Sequence, residues 1–165
     1  MTPTVVILCG GRGTRLREHT ESIPKPLIEV GGEPIVWHVI QLYAVQGLRR
    51  FVLCTGYKGD QIERFVAARS WPAEVSVECV DTGLVTPTGG RLKLVQDRLG
   101  EGTSCVTYAD GVADIDLARL LEFHREHGAA ATMTVVVAEP ASPSRELAEA
   151  ASIDPVGTTT VLWLT

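Results

Sequence analysis

Short β-branched runs alternate with amphipathic stretches along most of the chain. Residues 4–9 (TVVILC) are apolar at almost every position and are followed at once by Gly10-Gly11, which predicts a strand buried on both faces. Residues 51–55, 75–80, 104–108 and 130–137 repeat this pattern and predict four more strands. Residues 34–45 have helical character, with Pro34 near the first turn and Gly47 at the stop. Residues 60–69 form a second amphipathic pattern, and 90–98 predict one or two further helical turns. Residues 116–127 predict a helix opened by a capping Asp116 and closed by Gly128. Residues 10–32 show no period and carry Gly, Pro and charge, so they predict a long loop, and such loops commonly carry function. Strands alternating with helices predict an α/β fold: a Rossmann-like, doubly wound and mostly parallel sheet.

Beyond Glu139 the pattern decays into a stretch rich in Ala, Ser and Pro, with a short helix at 145–151 and a last strand at 158–164 as its legible elements. With no repeat and no linker, the expected organisation is a core over 1–138 and a divergent tail over 139–165 in the same domain.

Composition narrows the function classes. The chain has 165 residues, is 45% hydrophobic and 21% charged, and carries a net charge of −5. An acidic balance argues against a nucleic-acid partner, which needs a basic footprint. No apolar run reaches membrane-spanning length and no signal pattern opens the chain, so a cytoplasmic protein without membrane contact is expected. Cys9, Cys54, Cys79 and Cys105 have no CxxC spacing and lie in apolar runs, as expected of reduced, buried thiols rather than zinc ligands.

Three elements carry candidate chemistry. Gly10-Gly11-Arg12-Gly13-Thr14-Arg15-Leu16 follows the first predicted strand directly. Its glycines let backbone N–H groups approach phosphate oxygens, and Arg15 can add a forked positive charge. The run matches neither a P-loop nor GxGxxG, and a tight turn with solvated arginines is the plainer alternative. In Ile23-Pro24-Lys25-Pro26-Leu27, two prolines stiffen the backbone around one lysine, which suits presentation of its ammonium to a phosphate. Tyr108-Ala109-Asp110-Gly111 closes the fourth predicted strand, where open α/β sheets bind ligands. Asp110 there is a candidate Mg²⁺ ligand. Asp116 is assigned to helix capping and Asp114 to a solvated loop. His124 and His127 are read as a solvated helix face, and His38 as a hydrogen-bonded core or interface residue.

Together these elements resemble the sugar-1-phosphate nucleotidylyltransferases. The G-G-x-G-T-R-L run followed by P-K-P carries the resemblance, and GGEPIVWHV, CTGYKG, DTGLVTPTGGRL and YADGVADID resemble the glucose-1-phosphate cytidylyltransferase branch. The resemblance implies that Leu8, Cys9, Gly10, Gly11, Arg12, Gly13, Thr14 and Arg15 hold the base and phosphates of CTP. It places Lys25 on the phosphates, Thr86, Arg91 and Ala109 at the nucleotide, and Asp110 on Mg²⁺. Arg15, Lys25 and Asp110 are then the expected catalytic residues. The implied reaction transfers CMP from CTP to a sugar-1-phosphate such as glucose-1-phosphate and releases pyrophosphate.

Two departures stand out. Ala109 replaces the family's glycine before the metal aspartate, and neither the E-K-P lysine nor a second metal aspartate follows Val137. The expectation is a C-terminally short relative that carries the nucleotide half of the site. Two alternatives follow: a catalytically impaired nucleotide-binding or regulatory relative, and a minimal nucleotidyltransferase with another phosphorylated acceptor. A homo-oligomer or a full-length partner chain would fit the same pattern.

Overall fold

The computed structural model of the chain describes residues 2–11 and 22–134. Among these, the elements run β1 (Thr4–Leu8), β2 (Glu29–Val30), β3 (Glu33–Pro34), α1 (Ile35–Ala44), β4 (Arg50–Thr55), α2 (Gly59–Ala68), β5 (Ser76–Asp81), α3 (Thr88–Leu94), α4 (Gln96–Leu99), β6 (Cys105–Tyr108) and α5 (Leu117–His127). Four strands form one sheet in the order β5-β4-β1-β6, and every pairing in it is parallel. Strand β1 lies inside, with Val6 opposite both Val52 and Val106.

A parallel sheet needs cover on both faces, and side-chain alternation supplies it. Val5, Ile7, Phe51, Leu53 and Cys105 join Val36, Val39 and Ile40 of α1, Ile62 of α2, and Leu117 and Leu121 of α5 in one buried cluster. Val6, Val52, Cys54 and Val106 join Val95, with Leu92 and Leu99 packed against them, in the other. Helices therefore lie on both faces, which is the doubly wound arrangement expected from the sequence. All four cysteines are free. Burial pushes the thiols of Cys54 and Cys79 up to about 11 and that of Cys105 to about 12, so they stay protonated at neutral pH. No helix among the described residues is long and apolar enough to cross a membrane.

Three sequence expectations need correction. The 10–32 stretch is not loop throughout. It contains a 3-10 turn at Lys25–Leu27, and the short β2–β3 ribbon turns through Gly31 and Gly32, both at positive φ. Glu33 of β3 receives both guanidinium nitrogens of Arg69, at 3.1 and 2.5 Å, and Arg69 also lies over the rings of Phe65 and Trp37. These hydrogen bonds hold the Glu33 carboxyl below its ordinary value of 4.5. A carboxylate lowered on folding stabilises the native state above its ordinary pKa, and the effect is lost as pH falls through the lowered value. Glu33→Gln should therefore melt below the native protein at pH 7. Thermal melts at decreasing pH should show the gap between the two closing as pH falls below the ordinary value of 4.5 and through the lowered one.

The second correction concerns the predicted strand at 130–137. Its described part, 130–134, contains no strand, and 135–137 lie outside the described residues. The apolar run predicts burial, but Ala130, Ala131 and Met133 are exposed and Thr132 is the buried residue of 130–134. Thr132 is held by side chains. This brings in the third correction, because His124 is buried rather than on a solvated face.

The Ala129 N–H donates to His127 Nδ1 at 3.0 Å, which leaves Nε2 as that neutral ring's donor. His127 Nε2 lies 3.1 Å from the Thr132 hydroxyl, which in turn lies 2.9 Å from His124 Nδ1. The consistent order is His127 donating to Thr132 and Thr132 donating to His124. Thr132→Val keeps the shape but leaves the buried His124 nitrogen unpaired. Denaturant melts should show a loss of about 1–3 kcal/mol.

Candidate functional site

Strand order decides where a site can form. From β1 the chain steps outward to β4 and β5, then crosses back over the sheet to β6 on the other side of β1. The boundary between β1 and β6 is thus a topological switch point, and open α/β sheets bind ligands outside the carboxyl ends of strands at such points. The pairing continues one residue past each strand. Cys9 N–H donates to Cys54 O at 2.9 Å and Ala109 N–H to Leu8 O at 3.3 Å. The backbones of Gly10 and Asp110 emerge side by side as a result.

A cleft of about 650 Å³ opens above them. It is lined by Leu8, Cys9, Gly10, Gly11, Lys25, Thr86, Arg91, Ala109 and Asp110 among others, so nine site residues expected from the sequence face one cavity. Arg12, Gly13, Thr14 and Arg15, and the 139–165 tail, lie outside the described residues. Ala109 is buried at the cleft wall. Asp116 caps α5 by accepting from Arg119 N–H at 3.0 Å, and Asp114 is exposed, both as expected. His38 Nε2 lies 2.8 Å from Val30 O and ties α1 to the ribbon.

Lys25 stands on a rigid base. Pro24 O accepts from Leu27 N–H at 2.8 Å, Lys25 O accepts from Ile28 N–H at 3.1 Å, and Pro26 is buried. From there its ammonium reaches across the cleft mouth and donates to Asp110 Oδ2 at 2.5 Å. Both side chains keep about a third of their surface in solvent, 31% and 38%. Burial raises the Cys9 thiol well above its ordinary value, so it stays protonated beneath the cleft and offers no thiolate nucleophile.

Arg91 occupies the floor and is only 6% exposed. Its guanidinium donates to Thr55 O at 2.8 Å, to the Thr82 hydroxyl and to Gly10 O at 3.4 Å. All three acceptors are neutral, and Arg91 forms no ion pair among the described residues. The pocket that receives it depends on glycine. A Cβ at Gly10 would lie 2.1 Å from Arg91 Nη1, and one at Gly56 would lie 2.7 Å from Gly83 O. Gly83 itself has φ +85° and takes Asp81 Oδ1 on its N–H at 2.9 Å. Thr55, Gly56 and Thr82 are site-forming residues that lie in the CTGYKG and DTGLVTPTGGRL runs but received no individual role from the sequence. Their signal is a Thr-Gly pair repeated at the ends of two strands, Thr55-Gly56 and Thr82-Gly83. Leu84, Val85, Pro87 and Thr88 complete the wall beside Thr86.

A positively charged floor and a lysine at the mouth of a glycine-lined cleft suit a polyphosphate. Known proteins bear on this directly. The family model described as "Nucleotidyl transferase" matches residues 4–145. The chain belongs to the nucleotidyl transferase family. It is 38% identical over 148 residues to a probable glucose-1-phosphate cytidylyltransferase of Bacillus subtilis. It is 40% identical over 152 residues to the glucose-1-phosphate cytidylyltransferase of Salmonella typhimurium. In both comparisons 78% of this chain is covered, and the chain spans 58% of the length of the relative. Among solved structures, HddC from Yersinia pseudotuberculosis complexed with GMP-PN is similar at a TM-score of 0.66 and 28% identity, over 74% of this chain and 54% of HddC.

For a divalent metal, the described residues hold no cluster of three or more His, Cys, Asp or Glu ligands. Asp110 fits as a single carboxylate oxygen donor at the cleft mouth. Mg²⁺ accepts such a site when substrate phosphates and water complete its shell.

Proposed function

We propose that this nucleotidyl transferase moves a nucleoside monophosphate from a nucleoside triphosphate to a sugar-1-phosphate, with CTP and glucose-1-phosphate as the pair. The observation that carries the reading is the placement of Lys25 and Asp110 at the mouth of one cleft, with Gly10-Gly11 and Arg91 at its base. The similarity to two glucose-1-phosphate cytidylyltransferases supports the choice of cytosine and glucose.

A sugar-phosphate oxygen attacks the α-phosphorus of the triphosphate. The new P–O bond forms as the bond to the bridging oxygen breaks, and pyrophosphate leaves with that electron pair. The attacking phosphate monoester is already anionic near neutral pH, so no general base is required. The protein's task is positioning and charge neutralisation. The Gly10 and Gly11 backbone lets phosphate oxygens approach closely, and Lys25 offsets charge that develops on the departing pyrophosphate. By resemblance, Arg12, Gly13, Thr14 and Arg15 extend the phosphate cradle. Arg91 holds the loop ends beneath the nucleotide and contributes its field from below. Asp110 would hold Mg²⁺, which neutralises phosphate charge when bound.

A second reading has its own support. HddC, one of the solved structures similar to this chain, is complexed with GMP-PN, which favours GTP as the alternative donor. One assay separates the two. Purified protein with Mg²⁺ and glucose-1-phosphate is offered CTP, GTP, UTP or ATP in turn, and pyrophosphate is measured. Release with CTP is expected; release with GTP alone selects the second reading. No release with any nucleotide and sugar phosphate would overturn catalysis by this chain.

A further inference from the structure

Lys25 and Asp110 are the two charged groups at the cleft mouth that the proposed reaction assigns to opposite partners. The lysine is meant for phosphate and the aspartate for a cation. In the structure they are bound to each other, with Nζ 2.5 Å from Oδ2. An ammonium has three donors, but its position is constrained by the turn at Lys25–Leu27, and the partner carboxylate is anchored one residue past the Ala109–Leu8 hydrogen bond. The main chain is held at both ends of the pair, and both side chains are partly exposed to solvent.

We propose that the Lys25–Asp110 pair is a latch that makes nucleotide and divalent cation bind as a unit. This rests on the cleft being the nucleotide site. A bare nucleotide has to pull Lys25 from Asp110 and leaves that carboxylate facing added negative charge. A bare cation has to displace Lys25 and leaves an unpaired ammonium beside it. When the two arrive together, phosphate takes the lysine and the cation takes the aspartate, so both charges exchange partners and none is stranded. The coupling is reciprocal by linkage: each ligand raises the affinity for the other. Its size is bounded by the partial exposure of the pair, since half-exposed ion pairs are modest.

The test separates the latch from simple repulsion between Asp110 and phosphate. CTP binding is measured by calorimetry in EDTA and in Mg²⁺ for four proteins: native, Asp110→Asn, Lys25→Gln and the double variant. Matching thermal melts show that each is folded. In EDTA, Asp110→Asn should bind CTP about fivefold tighter than the native protein, because Lys25 is released. In the Lys25→Gln background the same substitution should gain less than about twofold. In Mg²⁺ the order of native and Asp110→Asn should invert. An equal gain in both backgrounds means plain repulsion and overturns the latch, as does no gain in the native background. Failure of all four proteins to bind any nucleoside triphosphate, even with Mg²⁺, removes the nucleotide reading and the latch with it.

Discussion

Lys25→Gln should lower the rate of pyrophosphate release by about 10²–10³-fold, a loss typical of removing one preorganised group from developing charge. The protein should stay folded. The Lys25–Asp110 pair is partly solvated at 31% and 38% exposure, so losing it should cost within about 1 kcal/mol. The glutamine keeps much of the length and the polarity, so the change isolates the charge. Initial rates with CTP, Mg²⁺ and glucose-1-phosphate, read beside a thermal melt, give both numbers. Lys25→Arg should recover only part of the rate, because a planar fork does not present charge where a compact ammonium does. A rate within about threefold of native for Lys25→Gln would remove the lysine from the reaction.

Gly10→Ala should place a strongly damaging methyl group in the cleft. The new Cβ would lie 2.1 Å from Arg91 Nη1 and 2.3 Å from its Cζ. Arg91 has little room to retreat, because its guanidinium is bonded to Thr55, Thr82 and Gly10, and even a Cβ at Gly56 would come within 3.0 Å of it. Displacing it strains a packed site and breaks buried, charge-assisted hydrogen bonds. The combined cost is about 2–4 kcal/mol. Nucleotide binding should be lost with it, because the loop ends that line the floor are pinned through this one side chain. Gly11→Ala provides the contrast. No described residue lies within 4 Å of a Cβ there, so its stability should stay within about 0.5 kcal/mol of native. Denaturant melts of the two variants make the comparison, and equal midpoints would refute the packing argument.

Legibility differed sharply between parts of the chain. The four strands of the main sheet and helices α1, α2 and α5 were readable because periodicity reports which face packs against a neighbour, and each of these elements packs one or both faces in a core. The 130–134 segment shows where that logic fails. Its apolar residues predict burial, yet Ala130, Ala131 and Met133 are exposed, and the buried member is Thr132, held by His124 and His127. The β2–β3 ribbon escaped for the opposite reason. Each of its strands is two residues long, too short for alternation to register.

By itself the sequence determined the layers, three of the four thiols as buried (Cys79 is only half-buried), the glycine-rich run, the proline-braced lysine and the aspartate at a strand end. Each is a property of a residue and its near neighbours. It also carried enough motif to place the chain among the nucleotidyl transferases. Only the tertiary structure decided that these parts form one site. Lys25 and Asp110 are 85 positions apart and Gly10 and Arg91 are 81 apart, and no local pattern encodes either contact. The strand order β5-β4-β1-β6 does it, by returning β6 to the side of β1. That return brings Asp110 to the mouth beside Lys25, while the ends of β1, β4 and β5 on the other side of the order hold Arg91 beneath Gly10.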